Sequence, residues 1–185
     1  MAWPIQSTGQ IDQNFNIRQM NISRSITEEL IKLELETEIE PFDDTGSIER
    51  WRAEGKEKLL DELVGILEHD ARIGNRKKLL EDFINRERKA TTAIGHGVAF
   101  PHIRSMQAKE FMMGFARSTS GYDFGALDGQ PAHLFFVMAA PPYDDKLYLR
   151  VFQTLSEMLS DESFRQELME VKSPGEVIRA IRSKE

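Results

Sequence analysis

A histidine that directly follows a proline is the residue of this sequence best suited to chemistry. Pro101 fixes its own φ angle and restricts the residue before it, so the backbone sets the direction of the His102 side chain. A neutral imidazole is a good nucleophile near pH 7 and can accept a phosphoryl group. Arg86 and Arg88 lie upstream, and a guanidinium near the imidazole would bind phosphoryl oxygens with two hydrogen bonds. His102 is thus a candidate acceptor of a phosphoryl group. The alternative is that it is structural, as a lone histidine at a strand end usually is, and that the arginines only complement the helix dipole.

Other motifs for nucleotides and metals are incomplete. Gly95-His96-Gly97 looks like the start of a dinucleotide-binding loop, but Phe100 replaces the third small residue and Pro101 blocks the helix that should follow. There is no Gly-Lys-Ser/Thr phosphate loop and no Gly-x-Ser-x-Gly turn. His96 and His102 would share a face of one continuous strand, which leaves a metal site conceivable. We expect none, because thiolates and an intervening acidic residue are missing.

The elements that must position these residues alternate between strands and helices. Candidate strands are the period-two segment 31–35 and the apolar segments 97–103, 111–117 and 134–140. Candidate helices are 56–70, a second one ending near 88, then 146–160, a stripe over 164–171, and a last helix after Ser173. Pro174 at its first position and Glu176 at its third predict a capping box. The segment 134–140 is apolar throughout, as in a strand covered on both faces. The order predicts an α/β fold: a single domain with a mixed β-sheet flanked by helices.

Two segments do not fit this regular pattern. Residues 1–20 interleave Gln and Asn with isolated apolar residues, which predicts a polar, mobile arm before a domain at 21–185. A docking arm using Trp3 and Phe15 is the alternative. Residues 41–55 contain several turn formers and are expected to be an irregular surface excursion.

Composition excludes several classes of protein. The chain has 185 residues with 24 Lys plus Arg against 31 Asp plus Glu, a formal net charge of −7, which argues against nucleic-acid binding. It contains no cysteine, so thiol chemistry is absent and a reducing compartment fits. No apolar run is long enough for membrane insertion, and the N-terminal residues do not have the pattern of a secretory signal. We therefore expect a cytoplasmic protein.

A longer pattern around His102 resembles a known family. Its members share an Arg-Glu pair, paired threonines and a glycine-flanked turn that leads into a Pro-His strand; here these are Arg86-Glu87, Thr91-Thr92, Gly95 and Gly97-Val98-Ala99-Phe100-Pro101-His102. The pattern resembles the active-site signature of the type-2 (fructose, mannitol and nitrogen-regulatory) IIA domains of the bacterial phosphoenolpyruvate-dependent sugar phosphotransferase system. The similarity in the order of elements extends over about residues 21–183.

This resemblance implies a phosphotransferase component with a transient phosphohistidine. His102 would accept a phosphoryl group from the phosphocarrier protein HPr or a regulatory paralogue, and Arg86 matches the active-site arginine of the family. Thr91 and Thr92 would lie beside the phosphoryl group, and Gly97 is a further predicted pocket residue. His96 is the rival to His102 through proximity alone, and it is otherwise expected at the rim of the pocket. The group would pass to a IIB subunit, or its presence would signal to a transporter or sensor kinase. No cofactor or metal is expected.

One position departs from the family and keeps a second function open. Where members often have a second histidine, in a His-Leu pair, this sequence has Tyr148-Leu149. A tyrosine can donate a hydrogen bond to a phosphoryl group but cannot become a cation near neutral pH. The alternative is a regulatory binding module with weak or lost phosphotransfer. Because no IIB or IIC part accompanies the domain in this sequence, a regulatory role is favoured over sugar uptake as an expectation.

Overall fold

The computed structural model describes residues 22–68, 71–143 and 145–185, with the side chains of 145 and 146 left aside. Two short 3-10 turns, Ile22–Arg24 and Glu28–Leu30, precede the regular elements. The strands are β1 (Ile31–Lys32), β2 (Ala93–Gly95), β3 (Val98–Ala99), β4 (His102–Arg104), β5 (Met112–Tyr122) and β6 (Ala132–Ala140). The helices are α1 (Ile48–Glu68), α2 (Arg76–Lys89), α3 (Asp145–Ser160), α4 (Glu162–Glu170) and α5 (Pro174–Lys184). The predicted arm, residues 1–20, lies outside the described residues.

A mixed sheet with β6 at its centre organises the domain. The strand order is β1-β5-β6-β3-β2, and β4 also pairs with β6. β5 runs antiparallel to β6, whereas β3 and β4 run parallel to it. Every residue of β6 except His133 is buried, so the predicted covered strand is confirmed. The predicted α/β fold with a mixed sheet is therefore correct.

The strand that leads to His102 is interrupted but keeps its register. Val98 of β3 pairs with Leu134 of β6, and His102 of β4 pairs with Met138 of β6. Both strands therefore have the same register relative to β6. The ladder breaks at Phe100 and Pro101 because proline has no N–H to donate. The Pro101 carbonyl still accepts a hydrogen bond from the Met138 N–H at 2.8 Å. The predicted segment 97–103 thus contains two short strands, β3 and β4, which keep one register along β6 and are separated at the proline.

Three boundaries differ from the sequence expectation. α1 begins at Ile48, inside the segment expected to be irregular, because its first two turns are largely exposed and present no apolar stripe. The Ser47 hydroxyl accepts a hydrogen bond from the Arg50 N–H at 3.3 Å at this start. β1 has only two residues, although the Leu35 N–H pairs again with the Arg117 carbonyl at 2.8 Å. β5 continues five residues beyond Arg117, to Tyr122.

The helix caps follow the predicted chemistry with one change. Ser173 caps α5 by accepting a hydrogen bond from the Glu176 N–H at 3.3 Å, with Pro174 in the first turn. The Glu176 carboxylate, however, accepts from the Lys172 N–H at 2.6 Å and not from the cap residue, so the capping box is shifted by one residue. Among the described residues no helix is sufficiently long and apolar to cross a membrane.

Candidate active site

His102 opens β4 and faces helix α3. The Phe152 ring on α3 contacts both the Phe100 ring, at 5.3 Å between centroids, and the His102 ring, at 5.6 Å. Residues two apart on a strand point to the same side, so Phe100 and His102 share the α3 face of the sheet. The Tyr148 ring meets the His102 ring edge-on at 5.7 Å. The imidazole therefore lies between the sheet and two aromatic side chains of α3.

The two ring nitrogens of His102 have different partners. Nδ1 lies 2.5 Å from the Phe100 carbonyl oxygen, and Nε2 lies 3.0 Å from Nη2 of Arg86. A carbonyl can only accept and a guanidinium can only donate. These partners require the neutral tautomer with its proton on Nδ1 and its lone pair on Nε2. The electron pair of Nε2 is the one available for nucleophilic attack.

Electrostatics favour the same neutral state. Burial lowers the pKa of His102, because an imidazolium would lose solvation in this pocket. The hydrogen bond to the Phe100 carbonyl raises the pKa, and the positive charge of Arg86 lowers it further. Burial is the largest of these effects, so His102 keeps its nucleophilic form to a lower pH than an exposed histidine.

Arg86 reaches the imidazole from the last turn of α2. Its Nη1 donates to the Ala90 carbonyl at 2.9 Å, which orients the guanidinium at the helix end. One helical turn earlier, the Asp82 carboxylate accepts a hydrogen bond from the Ser105 hydroxyl at 2.5 Å. Side chains on one face of α2 thus contact both ends of the segment 102–105. These two contacts fix the helix, and with it the arginine, against β4.

A buried carboxylate follows the arginine in sequence. Glu87 accepts a hydrogen bond from the Thr92 hydroxyl at 2.6 Å and is in contact with the Thr92 N–H at 3.1 and 3.2 Å. The Lys56 ammonium of α1 forms an ion pair with Glu87 at 3.0 Å and lies over the Phe124 ring at 5.1 Å. This cluster connects α1, the end of α2 and the start of β2 next to Arg86 in the sequence.

The predicted threonines belong to this frame. The Thr92 hydroxyl donates to Glu87, and the Thr91 hydroxyl donates to the Phe124 carbonyl at 2.9 Å. Their contact with a phosphoryl group stays a prediction, and it requires these hydroxyls to exchange or share their present acceptors. In the structure as it stands they fix the backbone that follows α2.

His96 and Gly97 lie in the tight turn between β2 and β3. Both have positive φ angles, +54° and +76°, as a two-residue hairpin turn of the I′ type requires. Together with His133 and residues of α4, His96 and Gly97 line a cleft of about 280 Å³. Since His96 lies outside the strand, it does not share a strand face with His102. Within the described part of the chain His96 is absent from the contacts of His102, and no group of three metal-binding side chains forms.

Tyr148 occupies the predicted place beside His102. Burial raises the pKa of Tyr148 to about 12, and the charges of Arg86 and Arg104 act against this increase. The hydroxyl is therefore neutral at every pH near neutrality. It can donate a hydrogen bond toward the site without adding charge.

Sequence reasoning missed three parts of this site. Phe152, four residues after Tyr148 on the same helix face, could have been found from the helical period. The Phe100 carbonyl has no sequence signature because every residue supplies one. The Lys56–Glu87 ion pair joins residues of different helices, and nothing in the local pattern indicates it.

An α/β domain that holds a neutral imidazole against a guanidinium defines a class of protein suited to phosphoryl transfer. The particular family follows from comparison: residues 45–184 match the model of "Phosphoenolpyruvate-dependent sugar phosphotransferase system, EIIA 2". The chain belongs to this family, and it is a IIA-type domain of the phosphotransferase system. The family predicted from the sequence is confirmed.

Individual relatives agree with this assignment. The fructose-specific EIIABC component of the phosphotransferase system of Bacillus subtilis (strain 168) is 32% identical over 162 residues, 88% of this chain and 23% of that protein. The chain thus spans about a quarter of the length of that relative. The nitrogen regulatory protein IIA-Ntr from Neisseria meningitidis is similar with a TM-score of 0.71 and 27% identity, over 86% of this chain and 98% of that one.

A third comparison shows the fold alone. The enzyme IIA of the mannitol system of Escherichia coli, solved in complex with phosphorylated enzyme IIB, is similar with a TM-score of 0.65 at 18% identity. The match covers 85% of this chain and 97% of that one.

Proposed function

We propose that Nε2 of His102 accepts and releases a phosphoryl group. The observation that supports this most directly is the pair of contacts at the ring, with Nδ1 on the Phe100 carbonyl and Nε2 on Arg86. The carbonyl keeps the proton on Nδ1, and the guanidinium favours an unprotonated Nε2 whose lone pair is directed toward a cation. A developing phosphoryl charge at that position would meet the guanidinium without any reorganisation of the backbone.

In the proposed step one phosphorus–nitrogen bond forms as another breaks. The Nε2 lone pair of His102 attacks the phosphorus of a phosphohistidine on the donor protein. The bond from phosphorus to the donor nitrogen breaks, and its electron pair stays with the donor imidazole, which becomes neutral. The proton on Nδ1 of His102 does not move. The phosphorylated ring then has a positive charge, which the Phe100 carbonyl stabilises through the Nδ1–H hydrogen bond. Reversal of the step passes the group onward.

Arg86 would compensate the charge of the group in transfer. Its guanidinium is 3.0 Å from the attacking nitrogen, so a small rotation would place two N–H groups on phosphoryl oxygens. We also propose that Thr91, Thr92, Gly97 and His96 line the pocket. The proposed step uses neither a metal nor a cofactor.

The proposed donor is an HPr-like phosphocarrier protein in the cytoplasm. The proposed acceptor is a IIB subunit, or the phosphorylated state is itself a signal to a transporter or sensor kinase. The mannitol IIA enzyme of E. coli, solved with its phosphorylated IIB enzyme, supports the first output. The nitrogen regulatory protein of N. meningitidis supports the second.

Labelling with radioactive phosphoenolpyruvate, enzyme I and HPr tests the proposal. We expect the native protein to acquire an acid-labile, base-stable label. The variant His102→Ala should acquire none, whereas His96→Ala and His133→Ala should keep most of it. Absence of label on the native protein would favour a binding module without phosphotransfer. Full labelling of His102→Ala would place the acceptor elsewhere.

A further inference from the structure

A second arginine shares the strand face of the reactive histidine. Arg104 ends β4 two residues after His102, and the two residues pair in step with Ala140 and Met138 of β6. Strand residues at i and i+2 point to the same side, with their Cα atoms about 6.6 Å apart. An extended arginine side chain covers that distance. The position of Arg104 therefore places its guanidinium within reach of a group bound to His102.

The contacts of α3 identify which face this is. The Phe152 ring contacts both Phe100 and His102, so the face of the sheet that these two residues share packs on α3. Tyr148, on the same helix, meets His102 edge-on at 5.7 Å. The charges of Arg86 and Arg104 both act on the Tyr148 hydroxyl by lowering its pKa, against the larger effect of burial. The tyrosine hydroxyl thus lies within the field of both guanidinium groups.

A phosphoryl group has more oxygens than one guanidinium can bind. Its charge near −2 is spread over three oxygens, and the planar fork of Arg86 can bind two of them. The positive charge of the phosphorylated ring lies on the other side of the phosphorus atom and does not contact these oxygens. Tyr148 adds no charge, because its hydroxyl is neutral until about pH 12. A second cation on the exposed side of His102 would bind the remaining oxygen.

We propose that Arg104 is a second phosphoryl-binding residue, which contacts the group on Nε2 of His102 in addition to Arg86. This inference rests on the proposed phosphohistidine. Arg104 is exposed, whereas His102 is half-buried, so its guanidinium can meet the phosphoryl group as it enters and as it leaves. In this proposal two arginines bind the phosphoryl oxygens, and Tyr148 stands where relatives often have a second histidine.

The test compares Arg104→Gln with Arg150→Gln as a matched control. Arg150 is also exposed, but it lies two residues after Tyr148 on α3, about 200° around the helix, and faces away from the site. We expect Arg104→Gln to lower the rate of labelling by phospho-HPr about tenfold, and Arg150→Gln to change it less than twofold. Arg104→Lys should recover part of the loss, since it restores the charge without the planar fork.

A small phosphoryl donor separates phosphoryl binding from protein docking. With phosphoramidate in place of phospho-HPr, the Arg104→Gln defect should persist, because the proposed contact is to the phosphoryl group. A defect confined to phospho-HPr would overturn the inference and assign Arg104 to docking. Equal labelling of Arg104→Gln and native protein with both donors would overturn it too, and His102 would remain the acceptor. Absence of label on the native protein would refute the proposed function itself, and this inference with it.

Discussion

Each ring nitrogen of His102 has its own partner, a backbone carbonyl at Nδ1 and a guanidinium at Nε2. These partners determine which nitrogen has a free electron pair. The Phe100 carbonyl can hold only a protonated Nδ1, and Arg86 can face only an unprotonated Nε2. The tautomer is thus set by two fixed partners before the proposed phosphoryl donor would arrive. The proline at 101 contributes by holding the backbone direction between the carbonyl and the ring.

Replacement of Arg86 tests whether its geometry or only its charge matters. We expect Arg86→Ala to lower the rate of phosphoryl transfer by about 10²–10³, the cost of losing one preorganised donor. Arg86→Lys keeps the charge but loses the planar fork, so it should stay clearly impaired. Stopped-flow or rapid-quench labelling measures both rates. A native rate in Arg86→Ala would reduce the arginine to a favourable charge at a helix end.

The tyrosine beside His102 is expected to tune the site without abolishing its function. A charge-assisted hydrogen bond contributes about 1.5–3 kcal/mol and a neutral one about 0.5–1.5, so Tyr148→His should shift the phosphoryl equilibrium with HPr by about fivefold. The gain should appear below about pH 7 and fade above it as the new histidine loses its proton.

Quantification of the phosphorylated fraction at equilibrium, from pH 5.5 to 8, measures this effect. Tyr148→Phe is the control, since it removes only the hydroxyl. If Tyr148→Phe equals the native protein, the residue packs against His102 without touching the phosphoryl group. A gain in Tyr148→His that is independent of pH would contradict the charge argument.

Among the elements, α2 has the most direct influence on the site. One of its faces contacts His102 of β4 through Arg86 and the next residue after β4, Ser105, through Asp82. Its buried Glu87 pairs with Lys56 of α1. The side chains of Glu87 and Lys56 are only 5% and 17% exposed. Such a pair holds elements together, but removal of one partner leaves an uncompensated charge in the interior.

Lys56→Met is therefore expected to lower the free energy of unfolding by about 3 kcal/mol, near the lower end of the range for buried pairs because water reaches the lysine. The double variant Lys56→Met/Glu87→Gln should recover most of this loss, since no unpaired charge remains. Urea unfolding of the native protein, both single variants and the double variant gives the free energies of unfolding for a double-mutant cycle. A cost below about 1 kcal/mol for Lys56→Met would show that solvent screens the pair.

Elements with a strong local pattern were predictable, and those that depend on distant contacts were not. Residues 134–140 are apolar without interruption, and only a doubly covered strand or a buried helix accepts that pattern. The start of α1 was missed because residues 48–54 are mostly exposed, and the alternation at 31–35 extends beyond the two residues that pair. At the site, the Pro-His sequence indicated His102, and the family pattern indicated Arg86. The Phe100 carbonyl and the Lys56–Glu87 pair depend on tertiary packing alone.

For the whole molecule, enclosure of His102 by α2, β4 and α3 couples the site to folding. Burial lowers the pKa of His102 in the folded state relative to about 6.5 in the unfolded chain. Below pH 6.5 the unfolded chain therefore binds a proton that the folded chain does not. The contribution of the neutral His102 to the free energy of unfolding is fully present above pH 6.5. It decreases as the pH falls toward the pKa of His102 in the folded protein.

Urea unfolding at pH 7.5, 6.5 and 5.5 tests this coupling, in a range above the usual pKa of the carboxyl groups, near 4. We expect the native protein to lose more stability between pH 7.5 and 5.5 than His102→Gln, because glutamine cannot titrate. The difference between the two curves isolates His102 from every other group. The same burial predicts that the unprotonated nitrogen persists below pH 6.5, so the acid limb of the labelling rate should lie below that value. Parallel stability curves, together with an acid limb above pH 6.5, would mean that the imidazole is open to water and that burial and Arg86 do not keep it neutral.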